Sequence, residues 1–161
     1  MKLYMKQKVF SIGDQFTVWD ANGNDRYYVQ GEIFTLGKKL HVNDTSGREV
    51  AFVKRELFTI LPTFHVYKNG TEIAKIYKEL TLFKPKYFVS GLGWDVDGHF
   101  LDHDYVISRN GRPIIRISKA WLSWGDSYEI DIADGVDESV ALAVVLAIDC
   151  VLDAQERSNN H

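Results

Sequence analysis

Residues Val136 to Leu152 read VDESVALAVVLAIDCVL. Val140, Ala141, Leu142, Ala143, Val144, Val145, Leu146, Ala147 and Ile148 are consecutive, so a helix over this stretch is apolar on every face instead of along one stripe. Such a helix has to be enclosed. Asp137 stands where an amino-terminal cap belongs, and Glu138 suits the positive end of the helix dipole. A bilayer span is the other structure that an apolar run suggests. It is not expected here, because the run is broken at Asp149 and bracketed by Asp137, Glu138, Asp153 and Glu156 instead of by lysine or arginine.

Upstream, the chain alternates short β-branched and aromatic runs with turn residues, which is the pattern of strands. Counting Lys6 to Ser11 as the first, strands are predicted at Phe16–Trp19, Arg26–Gln30, Lys39–Val42, Glu49–Val53, Phe64–Tyr67, Glu72–Ile76, Tyr87–Val89, Trp94–Val96, Asp104–Ser108, Ile114–Ser118 and Tyr128–Ile132. Asn69-Gly70 and Asn110-Gly111 are strong hairpin signals, and Asp97-Gly98 is read as a turn that ends its strand. The pattern therefore predicts about twelve strands. A closed barrel of about eight strands is already filled by its own side chains, so one of about twelve needs an internal filler. The apolar helix, kept slim by Ala141, Ala143 and Ala147, supplies it. The expected fold is mainly β: an antiparallel closed barrel of about twelve strands enclosing a central carboxy-terminal helix.

At 161 residues and 45% hydrophobic, the chain suits one domain, placed at residues 1–156, with 157–161 as a frayed tail. Pro62, Pro85 and Pro113 do not cluster, and no linker divides the sequence. MKLYMKQKVF at the amino end has no continuous apolar segment of the kind a secretory signal carries, and Cys150 is the sole cysteine. A cytoplasmic location follows as an expectation, with peripheral membrane contact as an extension of it.

Net charge is −3, yet residues 120–161 carry nine acids against Arg157 alone, which leaves an excess of five positive charges on residues 1–119. The basic residues include Lys6, Lys8, Lys38, Lys39, Lys54, Arg55, Lys84, Lys86, Arg109, Arg112, Arg116 and Lys119. They suit an anion-binding face for lipid headgroups or nucleic acid. The plainer reading is solvated strand edges, where lysine blocks unwanted pairing.

Several stretches in chain order resemble the LURP-one-related family, which shares the tubby C-terminal-like fold with tubby proteins and phospholipid scramblases. They are Lys6-Gln-Lys-Val-Phe-Ser-Ile-Gly-Asp14, Phe16-Thr-Val-Trp-Asp20 with Gly23, and Leu40-His-Val-Asn-Asp44 with Gly47. Ile117-Ser-Lys119, Trp121 with Asp126-Ser-Tyr128, and Ala147-Ile-Asp149 complete the set. The resemblance implies a twelve-stranded antiparallel barrel around a carboxy-terminal helix and brings no established catalytic activity. Tubby relatives with a known ligand bind phosphoinositides through basic residues; no headgroup site is carried over onto this sequence.

Catalytic and metal-binding patterns are weak. Gly31-Glu-Ile-Phe-Thr-Leu-Gly-Lys-Lys39 misses phosphate-loop spacing by one residue and has Lys39 where a magnesium-binding hydroxyl belongs, so it reads as strand and turn. Gly91-Leu-Gly93 lacks the third glycine and the following helix of a dinucleotide site. Residues 95–104 pack Asp95, Asp97, His99, Asp102, His103 and Asp104 together, and the first three share a face if the strand stays extended. Their spacing matches no zinc or calcium site, and the expected reading is a polar hairpin connection. His41 and His65 are lone strand histidines without an evident partner, and Cys150 sits in the apolar helix where a thiol is inert. Trp19, Trp94, Trp121 and Trp124 read as core and strand-pair residues, not as a stacking platform for nucleic acid.

No catalytic, cofactor-binding or metal residue is therefore assigned, and the ligand-binding residues are left open. The expectation is a noncatalytic binding or tethering module that contacts anionic phospholipid or a protein partner, with no nucleic acid and no cofactor. Membrane affinity of such a chain would be electrostatic and peripheral. The alternative is a small-ligand carrier or enzyme at the barrel mouth, using Asp149 or the acidic turn segment as its polar group.

Overall fold

In the computed structural model, which describes residues 1–6, 15–32, 36–79, 86–99, 102–122 and 125–159, alternation along the chain becomes inside and outside of one closed wall. The strands are β1 Lys2–Lys6, β2 Gln15–Asp20, β3 Asp25–Gly31, β4 Lys39–Asp44, β5 Glu49–Arg55 and β6 Thr63–Lys68. They continue as β7 Thr71–Glu79, β8 Lys86–Ser90, β9 Trp94–His99, β10 Asp104–Arg109, β11 Arg112–Leu122 and β12 Gly125–Ile132, followed by α1 Glu138–Asn159. Each strand pairs antiparallel with its neighbours in sequence, and β1 closes the barrel by pairing with β12. Asn69-Gly70 and Asn110-Gly111 make the expected tight turns, all four residues at positive φ between 51° and 77°.

The inward residues of the strands are mostly apolar, such as Leu40 and Val42 on β4, Val53 on β5, Val66 on β6, Ile76 on β7, Ile107 on β10 and Ile130 on β12; Thr63, Lys78 and Ser127 are the buried polar exceptions on the strands. Inside them, every residue from Ala141 to Ile148 is at 0% exposure, so the helix is walled on all faces. It runs nearest to β5, β6 and β7, where Ala51 and Ala74 leave room for it. The opposite wall fills the remaining width with larger inward side chains, among them Trp94, Tyr105, Ile115, Ile117 and Tyr128. The filler is thus an off-centre helix plus large side chains from the far strands, and small residues occur on both sides of the close contact.

Asp137 caps the helix. Its Oδ1 accepts from the backbone N–H of Val140 at 3.1 Å and from the Ser139 hydroxyl at 2.8 Å, while Lys68 at the end of β6 pairs with its other oxygen. This ties the helix start to the barrel end that carries the β2–β3, β4–β5 and β6–β7 turns.

Four expectations are corrected. The first strand is Lys2–Lys6, so the predicted Lys6–Ser11 strand begins where β1 ends, and residues 7–14 lie outside the described residues. Asp97-Gly98 is no turn: β9 continues to His99, with Asp97 opposite Val106 and Gly98 opposite Tyr105. A Cβ at Gly98, whose φ is 138°, would come within 2.6 Å of the Asp104 carbonyl oxygen and 2.7 Å of Tyr105 Cα. The glycine marks a close approach of two strands, a use that resembles turn chemistry in a bare sequence. The helix also runs on through residues 157–159, into the stretch expected to fray. Finally, the closed barrel has no free strand edge, so exposed lysines among the described residues, such as Lys6 and Lys54, do not guard edges.

Candidate functional site

The two ends of the barrel differ in chemistry. Around the helix amino end, three cations are matched in pairs: Arg26 Nη2 donates to Glu138 Oε1 at 2.9 Å, Lys68 meets Asp137, and Arg48 Nε lies 3.3 Å from Asp44. The Tyr27 hydroxyl also donates to Glu138, at 3.0 Å, and its pKa is raised by burial and by that carboxylate. A hollow of about 390 Å³ beside these groups is lined by Tyr27, Asp44, Lys68 and Asp137 among others, so its polar groups already satisfy one another.

The other end surrounds the carboxyl half of the helix. Here β3–β4 and β5–β6 are joined by loops whose bases lie together: Arg55 N–H donates to the Lys38 carbonyl at 2.9 Å, and Lys39 faces Lys54 across the β4–β5 ladder. Lys38, Lys39, Lys54 and Arg55 thus stand side by side on two neighbouring strand ends. Lys39 also lies 3.5 Å from Glu32. Lys38 and Arg55 are close enough to the helix for their charge to act on Cys150, whose buried thiol is nevertheless pushed up to about 12.

Above these cations the loops expose apolar side chains. Phe58 and Ile60 are fully exposed, Leu36 is 78% exposed and Leu57 38%. Leu57 reaches back to the β3–β4 loop, its Cδ2 only 2.9 Å from where a Cβ on Gly37 would stand. Phe58 is held at φ 63°, a left-handed conformation that a bulky residue rarely adopts. Among the described residues, four of the five large exposed apolar side chains belong to this one rim; the fifth is Met1.

Inside the same end lies a buried polar group. Asp149, 2% exposed, faces His103 in the β9–β10 turn, with His103 Nδ1 3.5 Å from Asp149 Oδ1, wide for a hydrogen bond. The imidazole stacks on Tyr128 at 4.6 Å between ring centroids. Burial raises the Asp149 pKa, with His103 and the Tyr105 hydroxyl opposing the shift. Burial alone would lower the His103 pKa, but Asp149 outweighs it and the net shift is upward. The Asp149 carboxyl is thus enclosed with the helix, with His103 its nearest ionic neighbour.

The strand histidines do have partners. On the outer face of the wall His41 sits between Glu49 and Glu32, the latter 2.7 Å from Nε2, and His65 sits between Glu72 and Glu56, the latter 3.0 Å from Nε2. Burial would lower the His41 pKa, yet the two carboxylates outweigh it and raise it. Phe52 and Tyr67 bridge the two histidines, with ring centroids 4.8 Å from His41 to Phe52, 5.8 Å from Phe52 to Tyr67 and 6.5 Å from Tyr67 to His65. Sequence reading missed these contacts because they run across strands. The signal was glutamates at the register positions flanking each histidine, legible only once pairing is known.

β9 stays extended through His99, so Asp95, Asp97 and His99 do share its outer face at alternate positions. No three His, Cys, Asp or Glu side chains gather as a metal shell among the described residues. Gly91 and Gly93 form the β8–β9 turn, followed by a strand and not by a helix. Gly31 ends β3 and Lys39 begins β4, and residues 33–35 of the stretch between them lie outside the described residues. Trp94 is buried in the core and Trp19 half-buried on β2; the side chains of Trp121 and Trp124 lie outside what is described, as do Lys8 and Lys84. Lys6, at the end of β1, is exposed. Arg109 and Arg112 flank the Asn110-Gly111 turn at the helix amino end, while Arg116 and Lys119 lie along β11, so the basic residues do not form a single patch.

Comparison with known proteins agrees with this architecture. The X-ray structure of a protein from Arabidopsis thaliana superposes with a TM-score of 0.64 at 19% identity, covering 92% of this chain and 89% of that one, a likeness of fold. An uncharacterised protein of Bacillus subtilis (strain 168), YxjI, is 34% identical over 152 residues, 94% of each chain. The LURP-one-related family model matches residues 1–149, from β1 to the buried Asp149, and the chain belongs to the LURP-one-related family.

Proposed function

We propose that the chain is a noncatalytic binding module that works with the outside of its barrel, and that it docks peripherally on anionic membrane surfaces through the rim around the helix carboxyl end. The observation that carries this reading is the filled interior: the helix from Ala141 to Ile148 is wholly buried, and the reactive groups beside it, Asp149 and Cys150, are enclosed with it. Their pKa values are both raised by burial, which disfavours the ionised forms a base or nucleophile needs. Lys38, Lys39, Lys54 and Arg55 supply adjacent positive charge at a rim, where a flat anionic surface can meet them together. No helix among the described residues is long and apolar enough to cross a membrane, and a peripheral mode needs none. The single cysteine suits a reducing compartment, and the cytoplasmic leaflet is where anionic lipid is enriched.

Sedimentation with vesicles tests this. The chain should pellet with phosphatidylcholine vesicles that contain phosphatidylserine, not with phosphatidylcholine alone, and added salt should weaken binding by screening. Lys54→Glu with Arg55→Glu should reduce pelleting, whereas Arg109→Glu with Arg112→Glu, at the opposite end, should change it little. Binding indifferent to lipid charge, or lost equally in both variants, would overturn the proposal.

A further inference from the structure

The rim that carries the basic cluster also carries apolar side chains that the fold does not use. Phe58 and Ile60 contribute nothing to the core at full exposure, and removing them from water would be favourable in proportion to their area. A disordered tip would allow the phenyl to fold back. Instead Phe58 is set at φ 63°, strain that persists only where surrounding structure determines it. Leu57 supports the tip from below by packing over Gly37, which brings Leu36 of the neighbouring loop alongside.

We infer that the tip formed by Leu36, Phe58 and Ile60 is a membrane-insertion element that enters the headgroup–acyl boundary of an anionic bilayer while Lys38, Lys39, Lys54 and Arg55 remain at the phosphate level. This rests on the peripheral docking proposed above and adds to it a depth, an orientation and a contribution that does not depend on salt.

Charge complementarity selects the bilayer as occupant. The apolar side chains stand outermost on loops, and the cations lie one step inward on the strand ends, the order in which a surface approached from water presents acyl chains behind phosphates. Glu32 and Glu56, which flank the loops that carry the tip, lie 3.5 Å from Lys39 and 4.0 Å from Lys75, so each is matched by a lysine instead of facing the membrane unmatched. Docking in this orientation stands the helix end-on to the membrane, with its amino end and the paired charges around it pointing away.

Two measurements on the full chain test the inference. Cys150 is buried, so in Phe58→Cys a polarity-sensitive maleimide dye attaches at position 58, and Thr45→Cys gives a control on an exposed turn at the other end. With phosphatidylcholine–phosphatidylserine vesicles, dye at position 58 should shift to the blue and dye at position 45 should not. Phe58→Ser with Ile60→Ser should lower the vesicle partition constant at least about tenfold and make the remaining binding fully salt-sensitive. Wild-type binding with no shift at position 58 and no loss in the serine variant would overturn insertion and leave electrostatic docking standing. Failure of the wild type to bind phosphatidylserine vesicles at all would overturn both and direct attention to a protein partner for the tip.

Discussion

Leu146 lies in the middle of the enclosed helix at 0% exposure, and its truncation reports directly on how that helix is held. Leu146→Ala removes a branched side chain from a site walled by strands, where neighbours have little freedom to collapse into the space. The cost is the lost transfer energy plus a cavity contribution, about 2–5 kcal/mol for such a change. Measured against the roughly 5–15 kcal/mol by which domains are stable, the variant should remain folded with a clearly lowered urea midpoint and an unchanged m value. Leu146→Asp adds the burial of a carboxylate without a partner, several kcal/mol more, and should leave little soluble protein. As a control, Arg157→Ala removes an exposed ion pair with Asp153 on the same helix and should move stability by no more than about 0.5 kcal/mol. A soluble Leu146→Asp chain with a cooperative melt near that of the wild type would refute the reasoning, because such a helix would be packed on the surface.

Asp137→Ala removes the cap and the Lys68 pair, and a loss of about 1 kcal/mol should lower Tm by roughly 2–4 °C in a thermal melt. Gly98→Ala forces a Cβ against the β10 backbone and should destabilise the chain by more than the same change at Gly23, where nothing lies within 4 Å and only the positive φ resists. Cys150 should not react with a thiol reagent at neutral pH in the native chain and should react fully in denaturant. Asp149 has a raised pKa, so the folded chain binds that proton more tightly than the unfolded chain, and stability falls as pH rises from the unfolded carboxyl value through the raised one. His103, also raised, contributes stability that is present below its unfolded value near 6.5 and is lost as pH rises through the folded one. Asp149→Asn removes both contributions, so denaturation midpoints across this range should fall less steeply with pH than in the wild type.

Much of the fold is legible because it depends on local patterns. An all-round apolar helix cannot be left exposed, period-two alternation marks the strands, and Asn-Gly pairs mark two of the turns. Gly98 defeats the same rules, since a glycine that admits a neighbouring strand and one that makes a turn look alike until the pairing is known. The helix displacement toward β5–β7 is visible in Ala51 and Ala74 only after their strands are placed beside it. The candidate site was less legible still. Lys38, Lys39, Lys54 and Arg55 stand out as basic pairs, but that they share a rim is a consequence of β4–β5 register. Leu57, Phe58 and Ile60 fall between two predicted strands, and their exposure arises from a loop conformation that sequence periodicity does not encode.

Hydrogen exchange of the wild-type chain with and without phosphatidylserine-containing vesicles tests most directly the pairing of an enclosed helix with a single docking rim. Amides from 141 to 152 should exchange only through global unfolding and be unaffected by vesicles, while residues 36–39 and 54–60 should gain protection and the turns at 44–48 and 69–70 should not. Rapid exchange along the helix, or protection gained at the opposite turns instead of at 36–39 and 54–60, would contradict it.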